Sequence, residues 1–119
     1  SLCYQVNDVL RAMEADSGIK MSSLRVDGGA SANNYLLQTM ADISNLPVLR
    51  PKCLETTALG AAYLAGLAVG YWQSTGDVAR NWAVDSTFRP NIPAEQRAKR
   101  LRGWKKAVRC AYHWALDEE

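Results

Sequence analysis

The stretch Asp27-Gly28-Gly29-Ala30-Ser31-Ala32-Asn33-Asn34 holds the residue types and order most suited to chemistry. Leu24-Arg25-Val26 alternates like a short strand and delivers the chain to two consecutive glycines. Glycine has no Cβ, so a ligand can approach its backbone closely and unusual φ angles cost little. A helix expected to start near Ser31 would offer unpaired N–H groups and a positive dipole end, a seat for phosphate. The turn is therefore a candidate nucleotide contact. The same residues also suit a tight strand-to-helix connection with no ligand. They form neither the G-x-G-x-x-G dinucleotide pattern nor the Gly-Lys-Ser/Thr of a P-loop. Taken alone, the residues leave both readings open.

Other chemistry is thinly represented. Cys3, Cys53 and Cys110 are odd in number and widely spaced, which fits no disulfide framework and no C-x-x-C metal knuckle. Reduced thiols in a cytoplasmic protein are expected. A single histidine, His113, excludes a histidine-rich metal site, and no motif points to it as the base of a triad; a surface or boundary position is expected. Glu55-Thr56-Thr57 reads as a helix start, with Thr56 or Thr57 as N-cap and Glu55 at the positive helix end. Arg97, Lys99, Arg100, Arg102, Lys105, Lys106 and Arg109 concentrate charge near the end of the chain. Trp104 falls on that segment's apolar stripe and Asp117-Glu118-Glu119 follow, so a solvated helix face is expected rather than a nucleic-acid surface.

Several elements must position these groups. Leu2, Val6, Val9, Leu10 and Met13 recur at helical spacing over residues 2–15, and Ser17-Gly18 ends that helix. The second helix carries Tyr35, Leu36, Met40 and Ile43 as its buried stripe and stops at Asn45. Pro47-Val48-Leu49 reads as another strand, broken by Pro51. Residues 23–50 thus form a strand–helix–strand unit, for which parallel strands and a right-handed crossover are expected. Residues 58–72 carry no charge. That run is shorter than the roughly 20 residues that span a bilayer, so a buried helix is expected, with Gly66 and Gly70 allowing close packing. A short polar helix around Ser74–Asn81 and a strand-like Ala83–Phe88 follow. Ala94, Ala98, Leu101, Trp104, Val108, Ala111 and Ala115 then mark one buried stripe of a long helix from Pro93 to about Leu116.

The 119 residues set a prior of one domain or part of one, and 48% hydrophobic with 22% charged residues is an ordinary globular composition. A net charge of +2 demands no acidic partner. Ser1 to Tyr4 enter directly into a helical pattern, with no signal peptide, so the chain is expected to begin inside a longer protein.

Leu24 through Asn34 resembles the adenosine-contacting motif of glycerol kinases. The likeness continues in order through Met40-Ala41-Asp42-Ile43, Pro47 to Pro51 and Glu55 to Gly66. It closes on Phe88-Arg89-Pro90 and Gly103-Trp104-Lys105-Lys106-Ala107-Val108. The Gly-Gly turn and the Gly-Ala-Ala helix are shared across the FGGY carbohydrate kinases. The Arg-Pro…Glu-Thr-Thr-Ala-Leu-Gly run and the Trp-Lys-Lys segment point to the glycerol branch. The resemblance implies an α/β chain of short parallel strands with packed helices, residues 1–119 forming the latter part of an actin-like, ribonuclease-H-like nucleotide-binding domain. It implies ATP or ADP with Mg²⁺ as cofactor, the metal held by no residue of this chain. By position, Gly29 would approach the nucleotide through its backbone, Asn33 would hydrogen-bond near the adenine, Ala30 would form a small wall beside the base, and Gly28 would permit the turn. Asp27 would orient the loop.

The resemblance also implies what is lacking. The family's catalytic aspartate, glycerol-binding residues and phosphate loops lie upstream, and Asp16, Asp42, Asp77 and Asp85 stand outside its catalytic motif. No catalytic residue is assigned, and the chain alone is expected to be inactive. Its partners would be an adenine nucleotide and the N-terminal kinase portion, in a cytoplasmic, homo-oligomeric enzyme that binds neither nucleic acid nor membrane. The alternatives are another FGGY sugar kinase, of xylulose or gluconate type, and a non-catalytic helical binding module.

Short strands at 24–26 and 48–49 normally extend a larger sheet, and their edges template association. The chain should self-associate at high concentration. Sedimentation velocity checks this, and a clean monomer counts against it.

Overall fold

Leu2–Ser17 forms helix α1, and Gly18, at φ 69° and ψ 2°, ends it in the left-handed conformation with its N–H on the Glu14 carbonyl. The computed structural model describes residues 1–81 and 83–112, so the expectations for His113, Trp114, Ala115 and the acidic tail lie outside the described residues. The buried face of α1 is Cys3, Asn7, Leu10 and Glu14, one position round from the expected apolar stripe. Leu2, Val9 and Met13 are exposed. The rotation has a polar cause. The buried Glu14 carboxylate accepts from the Arg11 guanidinium at 2.6 Å and from the Met21 N–H at 3.0 Å, while Arg11 also donates to the Ser44 carbonyl at 2.7 Å. Those bonds tie α1, the following loop and the end of the next helix together, and they turn Glu14 inward.

Strand β1, Leu24–Arg25, leads into a 3₁₀ turn, Gly29–Ala32, and then helix α2, Asn34–Ser44. The helix expected near Ser31 therefore starts three residues later, behind the intervening turn. Asn33 caps it, its side-chain oxygen accepting from the Leu36 N–H at 3.1 Å. Asn45, at φ 59° and ψ 35°, stops it as expected. Leu37, Met40, Ala41 and Ile43 are buried, but Tyr35, expected on the same stripe, is 81% exposed. Tyr35 lies in the first turn of α2.

Strand β2, Val48–Pro51, is central: β1 pairs with it in parallel, Leu24 opposite Val48, and β3, Val84–Phe88, pairs on its other side. The parallel pair was expected; the β3 pairing is antiparallel, so the sheet is mixed. Pro51 closes β2 rather than breaking it. A register irregularity between Arg50 and Pro51 accommodates the missing N–H. Cys3, Leu37, Met40, Ala41, Ile43 and Val48 form the core, with Val6, Leu24, Phe88 and Leu101 packed at its margin. Fully burying Leu37 or Ile43 stabilises the fold by roughly 1.5–3 kcal/mol each.

Two helices depart from expectation in burial. Helix α3, Thr56–Ala68, buries only Gly66, and Leu64 is 71% exposed, so the uncharged run is a helix that this chain leaves uncovered. Its continuation folds back on itself: Trp72 lies edge-on to Tyr63 and Tyr71, and its ring occupies the space a Gly66 side chain would need. Helix α4, Thr75–Arg80, is capped by Ser74 as its polar pattern suggests. Helix α5, Ala94–Cys110, buries no residue fully. Instead of a buried stripe it offers Leu101 to the core margin and Trp104 to α1, where Tyr4 stacks on the indole at 5.4 Å and Asp8 accepts from Nε1 at 2.7 Å. The Cα radius of gyration is 18.5 Å, against about 13.5 Å for a compact chain of this length.

The Met21 N–H, and after it Arg11, holds the Glu14 carboxyl below the usual glutamate range. A depressed folded-state pKa stabilises above the unfolded value, about 4.3, and that stability is lost as pH falls through the lower folded value. Glu14→Gln should therefore lower the thermal midpoint at pH 7. The difference should vanish in melts recorded below pH 3, followed by circular dichroism.

Candidate nucleotide-binding site

The turn between β1 and α2 is shaped by one residue. Gly28 sits at φ 79° and ψ 168°, a region that side-chain-bearing residues almost never enter. Its N–H donates to the Leu54 carbonyl at 3.0 Å, and its own carbonyl accepts from the Ser31 N–H at 3.0 Å and the buried Ser31 hydroxyl at 2.6 Å. The loop before α3 and the 3₁₀ turn are thus both fastened to Gly28.

Gly29 is different. Its φ is negative, it is exposed, and a Cβ built on it would meet nothing within 4 Å. Neither backbone strain nor packing within this chain requires glycine there, so the space beside it is open to a ligand. Ala30 and Asn33 are exposed on the same short segment. The Asn33 side-chain oxygen is committed to the α2 cap, which leaves its Nδ2 amide, unpartnered among the described residues, as the group that can donate outward. The N–H groups at the start of α2 were expected directly behind the glycines. They are instead set back by the 3₁₀ turn, and one is consumed by Asn33, so the phosphate seat proposed for the helix end is not formed beside Gly28-Gly29.

Asp27 points away from this face. Its carboxylate accepts from the Thr56 hydroxyl, joining the turn to the first residue of α3 beside a cleft of about 110 Å³ lined by Arg25, Val26, Asp27, Pro51 and Thr56. That bond overturns the expected capping role: Glu55 occupies the N-cap position without a side-chain bond, and the Thr56 hydroxyl serves Asp27.

Arg50 was not singled out by its sequence. From β2 its guanidinium reaches Asn34 Oδ1 at 2.7 Å and the Ser31 and Ala32 carbonyls at 3.4 Å, while Nε donates to Asp85 at 3.0 Å. The Ser86 hydroxyl, and after it Arg50, holds the Asp85 carboxyl below the usual range. Arg50 stands in the Arg-Pro run that resembles the glycerol branch, but that run gives it no role and does not reveal where a long side chain goes.

The three cysteines are unpaired. Burial pushes the Cys3 thiol up, while Cys53 and Cys110 are exposed. Among the described residues no cluster of three or more His, Cys, Asp or Glu could hold a metal, and no helix is long and apolar enough to cross a membrane.

Residues 1–69 match the C-terminal domain of the FGGY family of carbohydrate kinases. The chain belongs to that family. A glycerol kinase of Agathobacter rectalis is 64% identical over 118 residues, covering 99% of this chain and 24% of the relative. The FGGY chain thus spans about a quarter of the length of the curated relatives it matches. The crystal structure of Plasmodium falciparum glycerol kinase with ADP superposes with a TM-score of 0.77 at 33% identity, over 93% of this chain and 22% of that one. The ligand-bound xylulose kinase of Lactobacillus acidophilus superposes at 0.60 and 23% identity, over 85% of this chain and 20% of that one, and shares the fold. The FGGY chain therefore has the mixed α/β architecture of these kinases, the latter part of an actin-like domain.

The two glycines of the turn should separate on substitution. Gly28→Ala, forced into a strained φ, should destabilise the chain by about 1–3 kcal/mol. Gly29→Ala should change stability by no more than about 0.5 kcal/mol. Urea unfolding of both variants checks the contrast.

Proposed function

We propose that residues 1–119 are the C-terminal nucleotide-binding portion of an ATP-dependent glycerol kinase, which converts ATP and glycerol to ADP and sn-glycerol 3-phosphate. The observation that carries this reading is the 64% identity to a glycerol kinase across nearly the whole chain. The glycerol branch is also favoured over the xylulose type by 33% against 23% identity among the solved structures. ADP in the Plasmodium falciparum neighbour supports an adenine nucleotide as the ligand. The open space beside Gly29 supports its place.

In this reading the chain binds and orients; it does not perform the chemistry. Gly28 sets the turn, Gly29 lets the nucleotide lie against the backbone, Ala30 leaves room beside the base, and the Asn33 amide donates to it. Phosphoryl transfer also needs phosphate donors, a group that positions the attacking hydroxyl, and Mg²⁺ to neutralise developing charge. Three of the carboxylates here are otherwise engaged: Asp42 accepts from Gln38 and the Asn91 N–H, Asp77 from the Gln73 N–H, Ser74 and Arg80, and Asp85 from Arg50 and Ser86. We assign the metal, glycerol and catalytic groups to the other three-quarters of a kinase of the relatives' length. That portion is also the partner we assign to the uncovered face of α3, in a cytoplasmic enzyme.

Replacing the corresponding segment of the Agathobacter rectalis glycerol kinase with this chain tests the reading. The chimaera should phosphorylate glycerol with ATP, and the 119-residue chain alone should not. Gly29→Val in the chimaera should raise the KM for ATP by about tenfold, the effect of losing roughly 1.4 kcal/mol of binding. A folded chimaera that leaves glycerol untouched, or an active isolated chain, would overturn the proposal.

A further inference from the structure

We propose that Arg50 is the positioning residue of the nucleotide wall: its guanidinium, anchored on the sheet, fixes the 3₁₀ turn that carries Gly29, Ala30 and Asn33. This inference rests on the nucleotide reading above and assigns that site a residue it had lacked.

From within, the turn is held only by bonds of short reach, among them the Ser31 hydroxyl on the Gly28 carbonyl at 2.6 Å. Its backbone bonds are those of Ser31 to Gly28 and of Asn33 to Ala30, at 3.0 and 3.2 Å, and its outer face is exposed. A wall that is to meet a planar base must be held to about half an ångström. Arg50 supplies that constraint. Its stem rises from β2, the central strand, hydrogen-bonded on both sides, and its side chain is only 16% exposed. One guanidinium nitrogen, Nη1, faces the turn, reaching the Ser31 and Ala32 carbonyls and the Asn34 side chain. The opposite edge, Nε and Nη2, faces β3, where Asp85 lies 2.9 Å and the Ser86 hydroxyl 3.1 Å from Nη2. The Phe88 ring sits 5.4 Å from the guanidinium carbon and limits its sideways movement. A planar, always-charged fork suits this task because all its donors are fixed by one orientation; a lysine ammonium reaches one side or the other.

The core does not depend on this residue. Cys3, Leu37, Met40, Ala41, Ile43 and Val48 pack without it, so Arg50→Met should fold. Its loss should loosen the turn and leave the rest of the chain alone. The test reads both. In the 119-residue chain, Arg50→Met should speed amide hydrogen exchange at Ser31 and Asn33 by about tenfold, with Met40 and Ala41 unchanged. In the kinase chimaera, Arg50→Met and Arg50→Lys should both raise the KM for ATP by about tenfold, a larger change than in kcat. The proposal is overturned by unchanged exchange at the turn, by faster exchange throughout α2, by an unaltered KM for ATP, or by full recovery with lysine. If Gly29→Val also leaves the KM for ATP unchanged, the nucleotide reading fails; if Gly29→Val raises it and Arg50→Met does not, only the role of Arg50 fails.

Discussion

Leu37, Met40, Ala41 and Ile43 of α2 are seated on Val48 of β2 and Cys3 of α1, and α1, the sheet and α5 take their places from that seam. The crossover from β1 to β2 is short, so burying this one helix face also pulls the two strands into register, Leu24 beside Val48. Once β2 is placed, β3 can pair on its far side and Arg50 projects from a strand that cannot shift. The Gly-Gly turn is therefore positioned indirectly: it bridges a strand and a helix whose relative geometry is already settled by apolar packing.

Onto that apolar frame the chain adds a few polar ties at its joints. Arg11 and Glu14 fasten α1 to the end of α2, Asp27 and Thr56 fasten the Gly-Gly turn to α3, and Arg50 fastens the same turn to β3. The Asp27 and Arg50 ties hold an exposed turn, while the Arg11 tie reinforces two helices already packed through Cys3. Such bonds contribute modestly to overall stability, on the order of 1–3 kcal/mol when charged, yet they decide where exposed segments sit. This explains why a wall with no exposed hydrophobic anchor can still have a defined shape.

Much of this was legible in the residues. Gly18 and Asn45 announced their helix ends, the polar stretch around residues 74–81 its short helix, and the strand–helix–strand unit its parallel pair. These are local signals, in which a backbone conformation or an N–H partner is supplied within a few positions. What failed was non-local. The face of α1 is chosen by Glu14 bonding to Met21 and Arg11, and periodicity of apolar residues cannot register a buried carboxylate. The start of α2 slipped because a 3₁₀ turn and an α-helix share the same residue preferences. Thr56 looks like a cap until Asp27, 29 positions away, takes its hydroxyl. At the site, the glycines were visible as glycines. That Gly28 is demanded by the backbone and Gly29 is not could be known only from φ and from empty space.

The uncharged, uncovered surface of α3 also has a thermal consequence. Covering apolar surface releases ordered water, so the association that buries it is driven near room temperature mainly by entropy and carries a negative heat-capacity change. Whatever covers Leu64, Val69 and Tyr71 should therefore grip more firmly on moderate warming and loosen in the cold, opposite to the behaviour of a joint built from hydrogen bonds. Any joint made on this face would in this sense owe its cold lability to a helix from which every charge has been left out.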